Sequence, residues 1–94
     1  MNPKSKTSKN KSLDASLSLL GQLGMRIAYL RQKKDISQLE LSIRSGVSKN
    51  YISDLENARR NPTIEVLQKI ANGLGVSLEK LFQGIVPFLS LIHI

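Results

Sequence analysis

The sequence predicts an all-α domain of five short helices. Three observations carry this expectation. Apolar residues recur at spacings of three and four through most of the chain, the pattern of one buried helix face. No run of alternating β-branched residues offers a strand. Small hydroxylated residues stand directly before several of the apolar stretches, and such side chains accept hydrogen bonds from the free N–H groups of a helix start.

The elements follow in order. Leu20, Leu23, Ile27 and Leu30 form the first stripe. Ser37 is the expected N-cap of the second helix, with Glu40 three residues on to complete a capping box, and Ile36 and Leu41 flank it as a hydrophobic staple. Leu39, Ser42 and Ile43 are expected to continue the inward face of that helix. Ser48 caps the third, directly after Gly46 and Val47, and Val47, Ile52 and Leu55 point inward. Thr63, after Pro62, caps the fourth, whose stripe is Ile64, Leu67, Ile70, Ala71 and Leu74. Ser77 caps the fifth, with Val76, Leu78, Leu81 and Phe82 apolar around it. Gly46 suits a turn that needs positive φ, and Gly73 and Gly75 bracket the break before the last helix. Helices of roughly 7 to 15 residues with short connections make a compact bundle.

The chain has 94 residues, room for one small domain with a modest core. It has no cysteine, which excludes disulfides and thiolate metal sites and is compatible with a reducing, cytoplasmic location. No apolar run is long enough to span a bilayer, and the basic N-terminus lacks the apolar segment of a secretory signal. Fourteen Lys and Arg against seven Asp and Glu give a net charge of +7. Such a balance favours a polyanionic partner.

Three zones are expected. Residues 1–16 form a basic arm with Lys4, Lys6, Lys9 and Lys11, too poor in apolar side chains to fold. It is either a solubilising tail or a source of further phosphate contacts. Residues 17–83 are the folded domain, with ten bases and six acids. Residues 84–94, GIVPFLSLIHI, are an apolar tail. It fits a dimer contact, core packing or a non-native addition.

The turn between the second and third helices is too short for an antiparallel hairpin, so those helices must cross steeply. That arrangement is a helix-turn-helix, whose second helix can enter the DNA major groove with its N-terminal residues against base edges. Ser48, Lys49, Asn50 and Ser53 are left pointing outward there. Lys can donate to guanine O6 and N7, and Asn can pair with adenine N6 and N7.

Residues 23–82 closely resemble the Cro/lambda-repressor-like, or Xre-like, helix-turn-helix regulators. The resemblance rests on the Ser37-Gln38 opening, Gly46-Val47-Ser48, Tyr51-Ile52-Ser53, Leu55-Glu56-Asn57, Arg60-Asn61-Pro62 and the half from Ile64 to Phe82. The segment YISDLENARRNPT also resembles the controller proteins of restriction–modification systems. The resemblance implies a five-helix DNA-binding fold and a double-stranded DNA partner. It implies that Lys49, Asn50 and Ser53 read bases. Gln38 contacts a phosphate or buttresses the recognition helix; Ser48, Tyr51, Asn57, Arg59 and Arg60 lie along the phosphates. Arg31 pairs with Glu56 to hold the fold. The family's usual glycines are replaced by Asp35 and Ala58, of which Asp tolerates positive φ better than Ala.

One recognition helix spans few base pairs, so a homodimer on a palindromic operator is expected, with Leu78, Leu81 and Phe82 as its interface. An antitoxin of the same fold, holding a toxin protein through the apolar tail, is the alternative. An enzyme is not expected: the single histidine, His93, has no Cys or carboxylate neighbours, and no nucleophile–base or metal-ligand set exists. No cofactor, metal or membrane partner is expected.

Overall fold

The computed structural model describes residues 18–85. The basic arm, and the tail beyond Ile85, lie outside the described residues.

The described residues form five helices and no strand: α1 Leu19–Lys33, α2 Gln38–Ser45, α3 Lys49–Glu56, α4 Ile64–Leu74 and α5 Leu78–Leu81. Every helix starts on a hydroxyl cap. Ser18, Ser37, Ser48, Thr63 and Ser77 each take an extended backbone, and each side-chain oxygen accepts from the N–H three residues on, at 2.9–3.1 Å. These bonds satisfy donors that no helix can satisfy itself. The capping box at Ser37 is only half built, because the Glu40 carboxylate turns away to Arg44 at 2.9 Å.

Three helices stop in the same way. The chain turns left-handed after the last helical residues, and two N–H groups reach back to close the last turn. At α1, Asp35 N–H donates to the Gln32 carbonyl and Ile36 N–H to that of Arg31. At α3, Ala58 N–H donates to the Leu55 carbonyl and Arg59 N–H to that of Asp54. At α4, Gly75 N–H donates to the Asn72 carbonyl and Val76 N–H to that of Ala71. Glycine suits the left-handed position, yet Asp35 and Ala58 both adopt φ of 58°. Asp tolerates it; Ala at such a φ costs about 1–2 kcal/mol. We therefore expect Ala58→Gly to stabilise the domain by about 0.5–1 kcal/mol, after the entropy Gly adds to the unfolded chain is deducted. A higher denaturant midpoint at unchanged slope would show it.

The core consists of Leu23, Ile27, Leu30, Leu41, Val47, Ile52, Leu55, Leu67, Ile70, Ala71, Leu74 and Leu81, and no polar side chain is fully buried among the described residues. Two glycines let backbones come close. A Cβ on Gly24 of α1 would stand 2.3 Å from the Leu55 carbonyl oxygen of α3. One on Gly73 of α4 would stand 2.9 Å from the Ser45 Cβ of α2. The tight contact of α2 is thus with α4 through Ser45.

Four expectations are corrected. Leu39 and Ile43 do not face the core but are 56% and 70% exposed. Each lies two residues from the fully buried Leu41, about 200° around the helix from it, so the inward face of α2 is centred on Leu41. Ile64, at the first position of α4, is 67% exposed because it precedes the turn that meets the core. The fifth helix has four residues, below the expected length, as Phe82 ends it and Gly84 turns left-handed. Leu81 is fully buried in the core and offers nothing to a second chain; Leu78 and Phe82 are half-buried.

Candidate nucleic-acid interface

α2 ends at Gly46, whose φ of 76° turns the chain, and three residues later α3 begins. Val47 is buried in that turn and fixes it to the core. Ile52 and Leu55 then anchor α3 from below, both fully buried. The opposite face of a helix anchored this way must point outward, and it carries Asn50, Asp54 and Asn57 at helical spacing. Lys49 and Asn50 occupy the first two helical positions, both exposed, with the Ser48 hydroxyl beside them. Neither side chain has a hydrogen-bond or ion-pair partner among the described residues. They present an ammonium and an amide at the open end of α3. Ser53 is half-buried.

The inner flank of α3 is tied to α1 and α2. The Arg31 guanidinium grips Glu56 with two bonds, Nε to Oε2 at 2.8 Å and Nη2 to Oε1 at 3.1 Å. Its Nη1 donates to the Ile36 carbonyl at 2.9 Å. Gln38 Nε2 donates to Glu56 Oε1 at 3.0 Å. Gln38 is therefore a buttress of α3, the second of the two roles the resemblance implied. The pair is largely shielded, with side-chain exposures of 13% and 7%. The hydrogen bond to Glu56 raises the pKa of Arg31 above its ordinary value, outweighing the opposing effect of burial. A raised cationic pKa gives stability that is fully present below the ordinary arginine value, so the pair contributes undiminished from neutral pH upward into the alkaline range.

The outer flank carries the remaining cations. Asn57 ends α3 and its Nδ2 donates to the Ser53 carbonyl at 2.8 Å, so the side chain is partly used in capping. Arg59 is exposed, and its guanidinium has no partner among the described residues. Arg60 is held: its Nη2 lies 3.3 Å from Asp54 Oδ2, and its guanidinium stacks 4.5 Å above the Tyr51 ring. Tyr51 itself is half-buried against the core.

The sequence-expected residues are distributed along α3 and the loop after it. Lys49 and Asn50 stand at the N-terminal end of α3, which Ser48 caps; Arg60 reaches back from beyond its C-terminal end to Asp54 and Tyr51, Arg59 is exposed in the loop that follows, and Gln38 stands behind the helix. The residue missed is Asp54. Its spacing of four from Asn50 already placed it on the outward face, and an acid there called for a partner. Ten bases and six acids fall in residues 18–85, and three of those acids are bound to arginines at Arg31, Arg44 and Arg60. The arrangement can bind a polyanion, and among the described residues no group of three metal-binding side chains occurs.

Comparison with known proteins agrees with this geometry. A family model described as helix-turn-helix matches residues 27–81. An uncharacterized HTH-type transcriptional regulator, y4dJ of Sinorhizobium fredii, is 47% identical over 55 residues, covering 58% of this chain and 71% of that protein. The transcriptional regulator SinR of Bacillus subtilis is 40% identical over 60 residues, covering 63% of this chain and 54% of SinR. Of several other relatives the chain spans less than half, 39% of a phage immunity repressor and 46% of the regulator DdrOP3. Among solved structures, the restriction–modification controller protein C.AhdI of Aeromonas hydrophila superposes with a TM-score of 0.66 at 32% identity, over 67% of this chain and 96% of that one.

Proposed function

The chain belongs to the helix-turn-helix family, and on that premise we propose that it is a transcriptional regulator that reads double-stranded DNA as a homodimer on a palindromic operator. It works by binding and not by catalysis. The observation that carries this reading is the open N-terminal end of α3, where Lys49 and Asn50 stand exposed on a helix locked from behind by Arg31, Glu56 and Gln38. A held helix presents its donors at fixed positions, which bidentate base contacts require. Lys49 and Asn50 make the base contacts, with Ser53 beside them. Ser48, Tyr51, Asn57, Arg59 and Arg60 line the backbone path, while Gln38 serves as the buttress of α3. The family name of y4dJ and SinR and the likeness to a controller protein support regulation.

The dimer contact uses Leu78 and Phe82, the half-buried apolar residues at α5. No helix among the described residues is long and apolar enough to cross a membrane, and a DNA-reading role places the protein in the cytoplasm. The antitoxin alternative depends on the apolar tail, and no observation on the described residues favours it.

Selection of bound duplexes from a random DNA library at physiological salt tests the reading. An enriched palindrome is expected, with half-sites about one helical turn, roughly 34 Å, apart. Binding without enrichment would mean that the charge grips phosphates alone.

A further inference from the structure

We propose that Asp54 is a positioning residue that sets sequence selectivity by holding Arg60. The inference rests on the DNA-binding reading above. Asp54 lies four residues after Asn50, on the outward face of α3, with its side chain 32% exposed. A lone carboxylate there would repel a polyanion. Arg60 compensates it at 3.3 Å while stacking on Tyr51 at 4.5 Å, so two residues of α3 fix one guanidinium. The loop that brings Arg60 back is itself anchored at Asp54, whose carbonyl accepts from Arg59 N–H at 2.8 Å.

Arg59, next in the chain, is the contrast. A free guanidinium on an exposed loop follows any phosphate it meets, and that attraction carries no sequence information. Arg60 can follow a phosphate only by leaving its carboxylate, which would then face the same phosphates unpaired. It therefore rewards DNA whose backbone passes where the pair already holds it. DNA in any other register meets a neutral pair, or a carboxylate that has been stripped of its partner. Selectivity gained by penalising wrong partners is a general device, and here it uses one acid on the reading face.

The test compares the wild type with Asp54→Asn on two probes: the duplex recovered by selection and a mixed-sequence duplex of equal length. Asp54→Asn should bind the mixed-sequence duplex about fivefold more tightly, the effect of removing one charge near a phosphate in water. Its binding should also depend more steeply on salt, by up to about 0.9 in the log–log slope. The recovered duplex should change less, so the ratio of the two affinities falls. Asp54→Glu, which keeps the charge, should retain the ratio. Arg60→Ala strands the carboxylate and should weaken both probes more than Arg59→Ala does; adding Asp54→Asn to it should restore part of the loss. A purely structural role for Asp54 would move the thermal midpoint and leave the ratio alone. A wild type that prefers a recovered duplex, with an Asp54→Asn variant that keeps that preference unchanged, would overturn this inference only. A wild type with no preferred duplex would overturn the DNA-reading function and this inference with it.

Discussion

A single methyl group at position 24 should cost the domain about 3 kcal/mol or more, at or above the upper end of ordinary overpacking. The Cβ of Gly24→Ala would lie 2.3 Å from the Leu55 carbonyl oxygen and 3.0 Å from that of Glu56. Both are backbone atoms at the end of α3, so no rotamer change relieves them. α1 and α3 must separate, and the separation pulls on Ile27, Leu30, Ile52 and Leu55 together. It also pulls Arg31 from Glu56, since the pair bridges the same two helices. A small domain has only about 5–15 kcal/mol of stability to lose. Thermal or denaturant unfolding measures the effect, and a variant as stable as the wild type would show that α1 and α3 are not in such close contact.

Breaking the Arg31–Glu56 pair from one side should be as costly, about 3–5 kcal/mol. Arg31→Met leaves a shielded carboxylate with only the Gln38 amide to hold it. Glu56→Leu leaves a guanidinium with only the Ile36 carbonyl. The double variant should be far milder than the sum, because the cost lies in the stranded charge more than in the lost attraction. It should still weaken DNA binding, since Gln38 and α3 lose their shared anchor. A double variant as unstable as the sum of the singles would mean that the two side chains act independently.

Local chemistry was legible in the chain, and contacts between distant segments were not. The caps at Ser37, Ser48, Thr63 and Ser77 are decided within four residues, and the sequence places each of them where the structure does. The helix-turn-helix follows from Gly46, Val47 and their flanking helices for the same reason. The inward face of α2 was misread because an eight-residue helix offers apolar residues on both sides; only α4, packing through Gly73 onto Ser45 and Leu41, decides between them. Leu81 looked like a surface residue of a terminal helix, yet it fills the core left open by α1 and α4. Gly24 gave no sign of its role, since its meaning lies in the Leu55 carbonyl of another helix. On the outward face of α3, the exposure of Lys49 and Asn50 follows from position alone. The link from Tyr51 to Arg60 and Asp54 does not, because it depends on the left-handed turn at Ala58 that brings the chain back.

The proposed function depends on base reading by the N-terminal end of α3. Its most direct test is the random-library selection run side by side on the wild type, Asn50→Ala and Arg59→Ala. Asn50→Ala should lose preference at one base-pair position in each half-site, by about 1–3 kcal/mol, while Arg59→Ala should bind more weakly with the same motif. An Asn50→Ala motif identical to that of the wild type would contradict it.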